Sequence, residues 1–179
     1  YMRTDSTRIS KEMQVMAKDF ILRNYGEEYY PSKPNVYGSK GSAQDAHEAI
    51  RPTSLELTPK MVEPFLSRDE LKLYTLIWNR FMASQMAPQQ NESTTIELNV
   101  KDDYTFKATG SRVIFPGFSA VYEDVKKEDA PQLPALKKND AAHTVEVLPE
   151  QHFTQPPPRY SEASLIKTLE ELGIGRPST

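Results

Sequence analysis

The sequence contains no cysteine, which excludes disulfides and thiolate metal sites and is compatible with a reducing, cytoplasmic compartment. It has no apolar run near the roughly 20 residues needed to cross a bilayer, and no signal-peptide pattern, so no membrane partner is expected. It also lacks an excess of positive charge. Twenty-two Lys and Arg stand against 25 Asp and Glu, for a net charge of −3. A whole-surface attraction to nucleic acid is thereby excluded, because its usual footprint is a basic balance. No internal repeat is visible. What the sequence has is 37% hydrophobic and 26% charged residues over 179 positions, the profile of a soluble, folded chain of one domain or two small ones.

The charge that is present is unevenly spread. Residues 1–11 carry Arg3, Arg8 and Lys11 against Asp5, whereas acids gather between Glu123 and Asp129 in what reads as a solvated loop. Any contact with a polyanion must therefore be a local patch.

Three stretches of different periodicity follow one another, which gives an α+β chain of several parts. From residue 1 to about 87 the pattern is helical. Ser10 caps a predicted helix that runs to about Asn24, with Met13, Met16, Ala17 and Phe20 on one face and Gly26 just past its end. Residues 29–41, rich in Pro, Tyr, Ser, Lys and Gly, read as an irregular, exposed loop. A short helix is expected near Pro59. Ser67 with Glu70 three residues on is a capping-box signature for a longer helix to about Met86, whose buried side carries Leu71, Tyr74, Ile77, Trp78 and Phe81. This methionine and aromatic stripe reads as core packing.

From 88 to about 155 the period drops to two. Thr94, Ile96, Leu98 and Val100 alternate with Thr95, Glu97 and Asn99, the pattern of a half-buried strand. Lys101, Asp102 and Asp103 read as a hairpin turn rather than metal ligands, followed by a second strand from Tyr104 to about Thr109. Further strands are predicted at Arg112–Phe115 and His143–Leu148, separated by a charged, proline-bearing loop. From 156 a Pro-Pro-Pro linker leads to a helix from Ser161 to about Leu172, with Leu165, Ile166, Leu169 and Leu172 as its apolar face and Gly173 as its stop. Residues 175–179 read as the start of another helix.

The segment Tyr1-Met2-Arg3-Thr4-Asp5-Ser6-Thr7 places a phenol beside a guanidinium and three hydroxyls. A phenol with a free pKa of about 10 is a poor nucleophile at neutral pH, and its attack on phosphorus needs adjacent positive charge. Arg3 can supply that charge with a two-pronged hydrogen bond. On its own, the heptapeptide reads more readily as a buried strand-end tyrosine followed by a polar helix entry.

Two further segments change that balance. One is Asp45-Ala46-His47-Glu48-Ala49-Ile50-Arg51-Pro52-Thr53; the other runs from Pro156 through Arg159, Lys167 and Gly173 to Arg176-Pro177-Ser178-Thr179. In this order and at these separations, the three motifs resemble the strand-passage region of type IA DNA topoisomerases, over the whole length of the chain. Met2 after the tyrosine, Glu48 after the histidine, and Arg176-Pro177-Ser178 after the last glycine are similar to the topoisomerase I branch rather than the topoisomerase III branch. Reverse gyrase shares much of this wording and is the nearer alternative. A non-catalytic DNA-binding or protein-docking module that keeps the motifs is the more distant one. A tyrosine recombinase does not fit, because its spread-out Arg/His/Arg set precedes a late tyrosine.

The resemblance implies a central piece of an enzyme that relaxes negatively supercoiled DNA without ATP. Residues 1–87 would be a winged-helix-like domain bearing the nucleophile, 88–155 the β-rich hinge side of an arch, and 156–179 the start of a helical base that binds single-stranded DNA. Tyr1 would form a 5′-phosphotyrosyl ester, which conserves bond energy for resealing. Arg3 would hold the scissile phosphate, its plainer alternative being a surface ion pair with Asp5. A lone histidine is more often structural, but within this motif the resemblance gives His47 a DNA-phosphate or proton-linked contact. Glu48 and Arg51 suit a local ion pair that fixes the loop, and Arg51 could also reach a phosphate. Arg176, Ser178 and Thr179 sit where a helix N-terminus favours an anion, and the family makes DNA-backbone contacts there. Arg159 and Lys167 are weaker candidates for the same duty. Mg²⁺ serves the family through an acidic cluster in an N-terminal TOPRIM domain, so no metal site and no independent activity are expected of this stretch. The partner is single-stranded DNA within a supercoiled duplex, and the full enzyme is expected to act as a monomer in the bacterial cytoplasm, at the nucleoid.

Overall fold

A computed structural model describes residues 6–37, 47–100, 104–122 and 133–174. Four helices and one two-stranded antiparallel sheet are present among them, in an α+β arrangement. None of these helices is long and apolar enough to cross a membrane. The described residues belong to two compact units, one within 1–94 and 109–132, the other within 95–108 and 133–179.

In the first unit, helix α1 spans Lys11–Asn24. Its start is fixed by Ser10, whose Oγ accepts the Met13 N–H at 3.3 Å, satisfying a donor that has no partner within the helix. Its end is fixed by Gly26 at φ +112°, whose N–H reaches back to the Ile21 carbonyl at 3.2 Å. Met13, Ala17, Phe20 and Ile21 form the buried stripe. Met16 does not join them. It is 43% exposed, because spacings of four, seven and eight residues from Met13 rotate the buried face towards Ile21 and away from position 16.

Helix α2 (Pro59–Val62) is the predicted short turn, with proline at its first position. Helix α3 (Arg68–Gln85) opens on the predicted capping box, in which the Ser67 side chain accepts the backbone N–H of Glu70 and Glu70 Oε2 accepts the Ser67 N–H at 2.9 Å. The buried residues of α3 are Trp78, Phe81, Met82 and Gln85, while Leu71, Tyr74 and Ile77 are partly buried. Phe20 meets Trp78 edge to face with centroids 5.7 Å apart, and Leu55, Met82, Met86 and Val121 complete the core. Fully burying such a side chain contributes about 1.5–3 kcal/mol.

Of the predicted irregular loop at 29–41, residues 38–41 lie outside the described residues, Tyr29 closes a 3-10 turn (Glu27–Tyr29), and residues 30–37 are irregular but anchored. Asn35 Nδ2 donates to the carbonyls of Ser84 (2.9 Å) and Met86 (3.1 Å), and the Tyr37 hydroxyl donates to Ser84 O at 2.6 Å. These contacts satisfy carbonyls at the end of α3 that no helix hydrogen bond can reach. Tyr29 packs on Phe115 at 4.9 Å. A short 3-10 turn, Gly117–Val121, was not foreseen from the sequence. It turns at Gly117 with φ +50° and buries Val121.

Strands β1 (Gln90–Val100) and β2 (Tyr104–Phe115) form the hairpin. The predicted turn at 101–103 lies outside the described residues, as do the acids at 123–129. The separately predicted strand at Arg112–Phe115 is instead the continuation of β2, because the backbone of Gly110 carries the strand through without a break. The expected half-buried face is not realised. Only Ile96 on β1 reaches intermediate burial, and Leu98 and Val100 are 36% and 39% exposed. Alternation marks which side chains share a face, but burial needs a second layer.

In the second unit, Glu97 pairs with Lys107 at 3.8 Å and Asn99 with Thr105 at 3.1 Å across the hairpin. The predicted strand His143–Leu148 is absent. Its alternating pattern is present, but it has no hydrogen-bonding neighbour among the described residues, and Val145 is 98% exposed. Helix α4 (Glu162–Glu171) is capped by Ser161, which accepts from Ser164 N, and it stops at Gly173 with φ +72°. The predicted apolar face is real in spacing but uncovered, since Leu165, Ile166 and Leu172 are 44–67% exposed and only Leu169 is partly buried.

Candidate active site

Of the residues singled out by sequence, Tyr1 and Arg3 lie outside the described residues, as do Arg176, Ser178 and Thr179. His47 and Arg51 are described. The structure brings His47 to the stretch 6–10 that continues from the tyrosine motif, and links Arg51 to that stretch through Glu48.

The two segments are some forty positions apart in sequence, and hydrogen bonds tie them together. Ser6 Oγ donates to the His47 carbonyl at 2.7 Å, and Arg8 Nε donates to the same oxygen at 3.4 Å. The Ala49 N–H donates to Arg8 O at 2.7 Å. The Ser10 N–H donates to Glu48 Oε1 at 2.9 Å. Locally, the Arg8 N–H donates to Ser6 Oγ at 3.1 Å. The Ser6 hydroxyl, one of the three that follow the tyrosine in sequence, is thus engaged with the main chain of the histidine motif.

Glu48 and Arg51 form the expected ion pair. Arg51 Nε and Nη2 both donate to Glu48 Oε2, at 3.1 and 2.9 Å, and Nη1 donates to Pro52 O at 3.2 Å. With three of its five N–H groups so used, Arg51 retains two for another acceptor. Burial alone would raise the Glu48 carboxyl, but hydrogen bonds from Arg51 and Ser10, reinforced by the Arg51 charge, outweigh it and hold the group below its ordinary value. The carboxylate also sits at the N-terminal end of α1, where the helix dipole favours negative charge.

The segment beyond Arg51 is pinned to the core. Pro52 and Leu55 are buried, Trp78 Nε1 donates to Leu55 O at 3.3 Å, and the Tyr74 hydroxyl donates to Leu57 O at 2.6 Å. Arg23 pairs with Glu56. The histidine motif is therefore held at one end by α3 and at the other by α1 and the segment before it. Arg8 and Lys11, both exposed, add positive charge along this edge. Ser6, Arg8 and Ser10 were missed as partners of the motif. Nothing local in the sequence signals contacts across such a separation. Among the described residues no three Asp, Glu or His side chains converge to hold a metal ion.

A family model described as DNA topoisomerase matches residues 1–179. Relatives named DNA topoisomerase 1 include those of Xylella fastidiosa (48% identical over 187 residues, covering 100% of this chain and 23% of that protein), Vibrio cholerae (49%, 100% and 20%) and Campylobacter jejuni (48%, 100% and 25%). The structure of full-length topoisomerase I from Thermotoga maritima matches with a TM-score of 0.73 at 38% identity, over 100% of this chain and 28% of that one. The chain thus spans 20–25% of the length of these curated relatives.

Proposed function

Because the chain belongs to the DNA topoisomerase family, we propose that it is the nucleophile-bearing part of a type IA enzyme that relaxes negatively supercoiled DNA by breaking and rejoining one strand. Tyr1 attacks a backbone phosphorus. The P–O3′ bond breaks, the 3′ oxygen takes up a proton, and the 5′-phosphate stays on the phenol oxygen. The freed 3′-hydroxyl later reverses the step, with no need for ATP. Arg3 holds the non-bridging oxygens and stabilises charge in the transition state. His47 contacts the phosphate or a proton in transit. Arg51 adds a phosphate contact through its two remaining N–H groups, and Arg176, Ser178 and Thr179 grip the DNA backbone further along.

The observation that supports this reading is the docking of residues 47–51 onto residues 6–10. It joins the histidine motif to the chain that leads back, within five residues, to Tyr1 and Arg3. In this reading, residues 1–87 are a winged-helix-like domain, 88–155 one side of the arch, and 156–179 the start of the single-strand-binding base. The complete enzyme works as a monomer in the bacterial cytoplasm and uses Mg²⁺ held by a TOPRIM domain. The chain alone is then inactive.

Reuniting the chain with a TOPRIM-containing N-terminal piece and Mg²⁺ is expected to give a covalent protein–DNA adduct that Tyr1→Phe abolishes. An adduct that survives Tyr1→Phe refutes the nucleophile assignment. Nicking by the isolated chain contradicts its dependence on the missing domain.

A further inference from the structure

Glu48 has two carboxylate oxygens that act in different directions. Oε1 accepts the Ser10 N–H at the start of α1, and Oε2 accepts both Nε and Nη2 of Arg51. The first bond does for α1 what a glutamate in its own first turn would do in a capping box, but from a residue 38 positions away. The second fixes the guanidinium whose Nη1 is also held by Pro52 O, next to a buried proline. The pair is partly shielded, with side chains 30% and 25% exposed, against 93% and 65% for the surface pair Asp69–Lys72. Solvent and salt screen a shielded pair less, so it holds its geometry better than a surface pair.

The position of Glu48 in the chain gives the bridge its leverage. The preceding carbonyl, that of His47, accepts from Ser6 Oγ and Arg8 Nε, and the following N–H, that of Ala49, donates to Arg8 O. If the carboxylate releases either partner, the His47 carbonyl and the Ser6–Arg8 stretch lose the brace that keeps them in register. We propose that Glu48 is a positioning residue for strand cleavage, acting through Arg51 and the start of α1 to hold His47 against the segment that leads back to Tyr1 and Arg3. This rests on the reading of Tyr1 as nucleophile. A misplacement of about 1 Å at a reacting group costs up to roughly a hundredfold in rate, so a brace of this kind shows itself in the chemical step.

The test uses the full-length enzyme and a 3′-labelled single-stranded oligonucleotide at saturating concentration, with the single-turnover rate of adduct formation as the readout. Glu48→Gln keeps an amide oxygen for the Ser10 N–H but removes the charge from Arg51. Its rate is expected to fall about tenfold or more, with oligonucleotide Kd near wild type and Tm lowered only modestly, still well above the assay temperature. Arg51→Met is expected to fall at least as far, since it also loses the proposed phosphate contact, and the double variant no further than Arg51→Met, because both break the same brace. Arg51→Lys keeps the charge but cannot reach Glu48 and Pro52 O together, so it also slows the step; it decides the matter if Glu48→Gln fails to fold. The proposal is overturned if Glu48→Gln cleaves at the wild-type rate, if the two single effects add, or if the loss of rate merely follows a loss of Tm. If wild type forms an adduct and Glu48→Gln matches it, only the role of Glu48 falls. If wild type forms no Tyr1-linked adduct, the nucleophile reading falls with it.

Discussion

A Cβ at Gly117 would lie 2.4 Å from the Pro88 carbonyl oxygen, and the backbone there already has φ +50°. Both facts demand glycine, and the turn it makes lets the Phe118 N–H reach Ala87 O at 2.8 Å and buries Val121. Gly117→Ala is therefore expected to destabilise the fold by about 2 kcal/mol or more, combining left-handed strain with a backbone clash. Urea unfolding would register this as a lower midpoint at unchanged slope; an unchanged midpoint would mean the turn is not formed. The carboxylates of Glu48 and Glu70 make a second residue-level case. Glu48 is lowered despite its burial by Arg51 and Ser10, and Glu70 is lowered by hydrogen bonds from Ser67. A depressed folded pKa contributes stability that is complete above the unfolded glutamate value of about 4.3 and lost as pH falls through the lower folded value. Tm should thus decline below about pH 4, and less steeply when both residues are changed to Gln. An equally steep decline in that double variant would exclude these two groups as the cause.

Helix boundaries were the most legible elements, because capping is a local code. Ser10, Ser67 with Glu70, Ser161 and Gly173 each mark in sequence a boundary that the structure keeps. Ser10→Ala removes the acceptor of the Met13 N–H, and the expected loss is about 1 kcal/mol, read by denaturation of the purified chain. A loss near zero would mean that the Glu48 contact alone holds the start of α1. Strands were less legible. The alternation at 143–148 has the same form as that at 94–100, yet among the described residues only the latter has a neighbour to bond with. Periodicity gives the face a side chain would share but says nothing about a partner strand or a covering layer. The exposed apolar rows of β1 and α4 illustrate the same limit. At the candidate site, the Glu48–Arg51 pair was legible because its partners are three residues apart. The links from Ser6, Arg8 and Ser10 were not, since they depend on how α1 and α3 pack around Leu55 and Trp78.

On the scale of the whole molecule, the first unit packs its core around α1 and α3 and clamps the histidine motif between them. Under the proposed function, that clamp keeps the residues assigned to the phosphate in fixed register. The chain spans about a quarter or less of its relatives, and the proposed function gives it the covalent nucleophile of the reaction. The most direct test is to trap the adduct formed by the reconstituted enzyme on a single-stranded oligonucleotide, digest it with nuclease and protease, and map the modified peptide by mass spectrometry. The account predicts a 5′-phosphonucleotide on the peptide that contains Tyr1 and on no other tyrosine peptide. A nucleotide on a different residue, with Tyr1 recovered unmodified, would contradict it.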